Sequence, residues 1–136
     1  MLRGTYITFR GFEIIRSLGL GITVTKYWDP INCNNNVVEY CKIHDCRNKG
    51  VWLYKSNNNI VRYSDIYLTA NFASYDRSGS PDWPSSLQAY GCNGLTFEGN
   101  KVHENWGEGI GVWNNDNVLV KNNTVYDNMS GNIYLD

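Results

Sequence analysis

Asn100-Lys101-Val102-His103-Glu104-Asn105, followed by Gly109-Ile110-Gly111-Val112, decides the fold, because the same grammar returns 23 residues later. Asn123-Thr124-Val125-Tyr126-Asp127-Asn128 repeats the first half, and Asn132-Ile133-Tyr134-Leu135 repeats the second without its glycine. Earlier copies are Phe9-Arg10-Gly11-Phe12-Glu13-Ile14-Ile15, Val38-Glu39-Tyr40-Cys41-Lys42-Ile43-His44-Asp45-Cys46 and Val61-Arg62-Tyr63-Ser64-Asp65-Ile66-Tyr67. Gly21-Ile22-Thr23-Val24, Gly50-Val51-Trp52-Leu53 and Ser86-Leu87-Gln88-Ala89 are the matching second halves. The central apolar residues Ile14, Ile43, Ile66, Val102 and Val125 lie 29, 23, 36 and 23 residues apart. The period is therefore 23, with about six extra residues in the first coil and thirteen in the third. A repeat of this length, built from short apolar alternations and Asn/Gly turns, is a β-solenoid. Leucine at fixed positions, as leucine-rich repeats need, is absent, and so is any helical period.

Stacked columns test the register independently. Equivalent residues of successive coils sit about 4.8 Å apart in such a fold. One column reads Arg10, Glu39, Arg62, Glu98, Lys121, and another reads Glu13, Lys42, Asp65, Lys101, Thr124. Charge alternates down both, as neighbours on adjacent strands should. The column Phe12, Cys41, Ser64, Asn100, Asn123 places two asparagines where amide ladders form.

These segments resemble the right-handed parallel β-helix repeat family, the pectate-lyase-like superfold. The resemblance implies an all-β chain, a single-stranded right-handed parallel β-helix of about five 23-residue coils. We read it as a single domain over residues 1–136, with insertions at about 25–32 and 70–85. Right-handed crossovers are also the general preference. The family implies secreted proteins that bind, cleave or epimerise acidic polysaccharides, phage tailspikes, and structural solenoids. Extracellular or cell-surface placement follows from that resemblance. The chain begins and ends inside coils, so it reads as a fragment of a larger protein, with open coil ends that invite association.

Composition narrows the partners. Net charge is −1 without any Lys/Arg run, which argues against nucleic acid. No apolar stretch of about eighteen residues is present to span a membrane. The first residues lack the pattern of a signal peptide. Cys33, Cys41, Cys46 and Cys92 are too widely spaced for a zinc site. Cys33 and Cys92 share a column two coils apart, beyond the roughly 7 Å Cα reach of a disulfide. His44 and His103 share an outward column about 10 Å apart, too far for one metal, and read as residues of a solvated face. No metal ligand set is assigned. Stacked Glu104 and Asp127 leave Ca²⁺ open as a cofactor.

The second halves of the repeat carry the functional reading. Ile22, Val51, Leu87, Ile110 and Ile133 point inward, as do Val24, Leu53, Ala89, Val112 and Leu135. The outward columns are Thr23, Trp52, Gln88, Gly111, Tyr134 and Thr25, Tyr54, Tyr90, Trp113, Asp136. A contiguous aromatic patch outside a domain marks an interface. Both insertions flank it, so Trp28 and Trp83 stand with Trp52, Tyr54, Lys55, Gln88, Tyr90, Trp113 and Tyr134 as expected ligand-binding residues of a groove. Sugar rings stack on such aromatics, and Lys26, Lys55 and Arg77 suit the anions of an acidic polysaccharide. The floor strands are expected to supply no carboxylate except Asp136. Catalytic candidates are therefore Lys26, Asp29, Asp76, Arg77 and Asp82. Whether the chain is an enzyme stays open; the chemistries the resemblance offers are those of a polysaccharide lyase, an epimerase or a glycoside hydrolase. The competing reading is a structural or adhesive solenoid, self-associating through its coil ends or aromatic face without catalysis.

Overall fold

The computed structural model describes residues 1–25, 33–70 and 84–136. Each coil contributes three short strands. They are β1 (Thr8–Arg10), β2 (Glu13–Ile15) and β3 (Ile22–Thr25) in the first coil, and β4 (Val37–Glu39), β5 (Lys42–His44) and β6 (Val51–Tyr54) in the second. The third coil has β7 (Ile60–Arg62), β8 (Asp65–Tyr67) and β9 (Ser85–Tyr90), and the fourth has β10 (Thr96–Glu98), β11 (Lys101–His103) and β12 (Glu108–Trp113). The fifth has β13 (Leu119–Lys121), β14 (Thr124–Tyr126) and β15 (Ile133–Leu135). Strands of the same rank pair in parallel from coil to coil, giving three five-stranded sheets.

The register is that of the repeat. Ile14, Ile43, Ile66, Val102 and Val125 are successive partners in the second sheet. Arg10, Glu39, Arg62, Glu98 and Lys121 are successive partners in the first. The alternating charges meet: Arg62 Nε donates to Glu39 Oε2 at 2.7 Å, and Lys121 Nζ lies 3.1 Å from Glu98 Oε1.

Such short strands need abrupt corners. Between the first and second sheets every coil turns on one left-handed residue: Gly11, Tyr40, Tyr63, Gly99 and Asn122, all with φ between 51° and 74°. The glycine that opens the third sheet has another cause. A Cβ on Gly109 would come within 2.6 Å of Val125 Cγ1, so the corner admits no side chain there without displacing the core.

Side chains along the axis form one continuous core. Val24, Val38, Ile43, Val51, Leu53, Val61, Ile66, Leu87, Phe97, Val102 and Ile110 are fully buried within it. Ile133 and Leu135 keep the inward register but are exposed, because β15 is an edge strand of its sheet. Asparagines close the interior corners. Asn100 Oδ1 accepts from Ser64 N at 3.0 Å while its Nδ2 donates to Val61 O at 2.9 Å. Asn123 Oδ1 accepts from Asn100 N at 2.8 Å in turn, continuing the amide ladder. All four cysteines are buried and none is in a disulfide. Burial pushes the Cys46 and Cys92 thiols above their ordinary values.

Candidate functional site

The outer face of the third sheet carries the aromatic stripe. Thr23, Trp52, Gln88, Gly111 and Tyr134 are consecutive partners across β3, β6, β9, β12 and β15. Thr25, Tyr54, Tyr90 and Trp113 form the parallel column. Tyr54 and Tyr90 stack with ring centroids 5.6 Å apart, and Trp52 packs tilted on Tyr54 at 4.9 Å. Trp113 meets Tyr134 at 5.2 Å. Lys55 is exposed, its Nζ 5.2 Å from the Tyr54 ring centre. The stripe is partly open: Tyr90 and Tyr134 are exposed, Trp52, Tyr54 and Trp113 are half-buried, and Thr23, Thr25 and Gln88 are buried. Asp136 follows β15 and is exposed. Lys26, Trp28, Asp29, Asp76, Arg77, Asp82 and Trp83, expected in the groove walls, lie outside the described residues, as do most of both insertions.

One expectation is corrected. The floor does supply a carboxylate besides Asp136, because β9 and β12 begin earlier than the Gly-apolar-x-apolar pattern. Glu108 opens β12, pairs in register with Ser85, and is buried. Ser85 Oγ donates to Glu108 Oε2 at 2.6 Å. Lys49, just before Gly50, is buried on the neighbouring side, with Nζ 3.4 Å from Asn48 Oδ1 and 6.0 Å from the Trp52 ring centre. The signal for this row was the residue preceding each corner glycine, which the apolar alternation does not include. Two polar atoms of the same face, Gln88 Oε1 and Trp113 Nε1, are buried with no hydrogen-bond partner among the described residues.

A second ordered array lies on the outer face of the second sheet. His44, Tyr67, His103 and Tyr126 form a ladder of stacked rings, with successive centroids 4.6, 5.1 and 4.9 Å apart. The histidines were expected on a solvated face; both are buried, His103 between the Tyr67 and Tyr126 rings and His44 against Tyr67, with carboxylates at their edges. His44 Nδ1 lies 2.7 Å from Asp45 Oδ2 and its Nε2 3.2 Å from Glu13 Oε1. His103 repeats this with Glu104 Oε2 at 2.8 Å and Asp65 Oδ1 at 3.1 Å. Hydrogen bonding to His44, then to Lys42, holds the Glu13 carboxyl below its ordinary value. Bonds to Tyr67 and Tyr126 hold the Lys42 and Lys101 ammonium groups above theirs. Glu104 is thus engaged by His103, and among the described residues no group of three His, Cys, Asp or Glu side chains is placed to hold a metal ion.

No match to the chain is found among curated proteins or solved structures. The description "right handed beta helix region" matches residues 1–136. With three parallel sheets stacked coil on coil in the register of a 23-residue repeat, the chain belongs to the right-handed β-helix family.

Proposed function

We propose that the outer face of the third sheet binds carbohydrate, an acidic polysaccharide met outside the cell or at its surface. The observation that carries this reading is the run of Trp52, Tyr54, Tyr90, Trp113 and Tyr134 across four adjacent strands. Flat sugar faces stack on such rings, and a rigid sheet holds them at a fixed spacing, so little side-chain entropy is lost on binding. Lys55 beside Tyr54 supplies a cation for a carboxylate or sulfate. Titration calorimetry with pectate, alginate and chondroitin tests the reading. Saturable binding that Trp52→Ala abolishes supports it; no binding to any of the three overturns it.

A second reading, a solenoid that self-associates through this face, is favoured by the exposed rings of Tyr90 and Tyr134 in the same stripe. It expects a concentration-dependent mass in light scattering that Tyr134→Ala lowers, with no sugar affinity.

A further inference from the structure

The corner between the second and third sheets forms an exposed ridge that crosses all five coils. Its first row is Arg16, Asp45, Leu68, Glu104 and Asp127, each the residue after a strand of the second sheet. All five have left-handed φ, between 48° and 56°, and all five are exposed. Two positions further on, a second row holds Leu18, Arg47, Ala70, Trp106 and Met129. Ala70 is buried, but Arg47 is exposed, and Leu18, Met129 and Trp106 are 87%, 71% and 60% exposed. A leucine, a methionine and a tryptophan this open, with charges beside them, mark a surface that another chain covers.

The order of residues along the ridge selects the partner. Coils one and two contribute Arg16, Leu18 and Arg47; coils four and five contribute Glu104, Trp106, Asp127 and Met129. One end is therefore cationic with a leucine, and the other is anionic with a tryptophan and a methionine. A parallel copy would set like ends against each other. An antiparallel copy brings unlike ends together, and a two-fold axis makes each such contact twice. We propose that this ridge is the contact face of an antiparallel two-fold dimer of the chain. With the axis at coil three, Arg16 meets Asp127 of the second copy, Leu18 meets its Met129, and Arg47 lies on its Trp106 as a cation on an indole face. Leu68, exposed on the axis, meets its own counterpart. Asp45 and Glu104 come opposite one another as like charges. Each is drawn to the histidine beside it, Asp45 Oδ2 at 2.7 Å from His44 Nδ1 and Glu104 Oε2 at 2.8 Å from His103 Nδ1. Residues 71–83, which follow Ala70, lie outside the described residues and are given no part in the contact. Five coils at about 4.8 Å each make a ridge about 19 Å long. So short a face falls below the roughly 800 Å² per partner of stable complexes, and the dimer is weak and sensitive to salt. The contact needs no part of the aromatic stripe and stands apart from the carbohydrate reading.

Sedimentation equilibrium of the chain, from about 10 μM to about 1 mM and at low and high salt, tests the proposal. The expected result is a mass that climbs toward twice the monomer's with concentration, and climbs less at high salt. Trp106→Ala should weaken the association about tenfold or more, since exposed tryptophans dominate such contacts. Arg16→Asp should weaken it about as much by setting an acid against Asp127. Adding Asp127→Arg to Arg16→Asp should restore the dimer, a rescue that an unfolded variant does not give. A monomer at every concentration overturns the proposal, and so does a loss that the paired exchange fails to recover. Association that Tyr134→Ala abolishes, while Trp106→Ala and Arg16→Asp leave it unchanged, also overturns it and moves the contact to the third sheet.

Discussion

Arg62 Nε donates to Glu39 Oε2 at 2.7 Å, and the acceptor side chain is 4% exposed although it points away from the core. Arg10 reaches the other oxygen of the same carboxylate at 3.5 Å, so Glu39 is clamped between cations of the coils on either side. Removing it leaves two guanidinium groups facing across an empty position. Glu39→Ala should therefore destabilise the fold by about 2 kcal/mol, the range of hydrogen bonds to charged groups. Glu98, more open and paired with Lys121, should cost less than about 1 kcal/mol when changed to alanine. Urea unfolding of the two variants compares them directly, and equal losses would refute the clamp.

Glu13 predicts the acid limb of stability. Its carboxyl is held below its ordinary value of 4.5, first by His44 and then by Lys42. The folded chain therefore binds this proton more weakly than the unfolded chain does. The stabilisation is present in full above pH 4.5 and fades as the pH falls through the lower folded value. Glu13→Gln should flatten the dependence of the unfolding midpoint on pH in that acid window.

Leu68 turns the corner after β8 with φ of 48°, a conformation that costs a residue with a Cβ about 1–2 kcal/mol. Asparagine tolerates that region better than leucine. Leu68→Asn should raise the thermal midpoint, since the leucine side chain is itself exposed. A lower midpoint would mean that its remaining contacts outweigh the strain.

Asn100 is the interior rung on which the amide ladder turns. Asn100→Ala would leave the Ser64 N–H and the Val61 carbonyl without their bonds inside the solenoid. The expected loss is about 3 kcal/mol. Asn117, whose exposed rung reaches Asn93, should lose little by the same change. Denaturant midpoints separate the two, and hydrogen exchange at Ser64 reports the opened bond.

The coil boundaries, the columns and the direction of each strand residue were legible in the sequence. A 23-residue period converts directly into strand pairing, and alternation of apolar residues over a few positions fixes which side faces the axis. The stripe of Trp52, Tyr54, Tyr90, Trp113 and Tyr134 followed from the same indexing, and its partners in the structure are those of the repeat. Burial on the outer faces was decided by tertiary structure alone. Nothing in the local pattern distinguishes Glu39, clamped by the coils above and below, from Glu98 in the same column. His44 and His103 look like surface residues until stacked rings and carboxylates close over them. Glu108 and Ser85 precede the apolar alternation, and only the longer strands β9 and β12 bring them onto the floor beside Gln88 and Trp113. Periodicity encodes which residues become neighbours, because one repeat is one turn of the solenoid. Their exposure and bonding depend on the shapes of side chains arriving from other coils, a property of the stack that no single repeat contains.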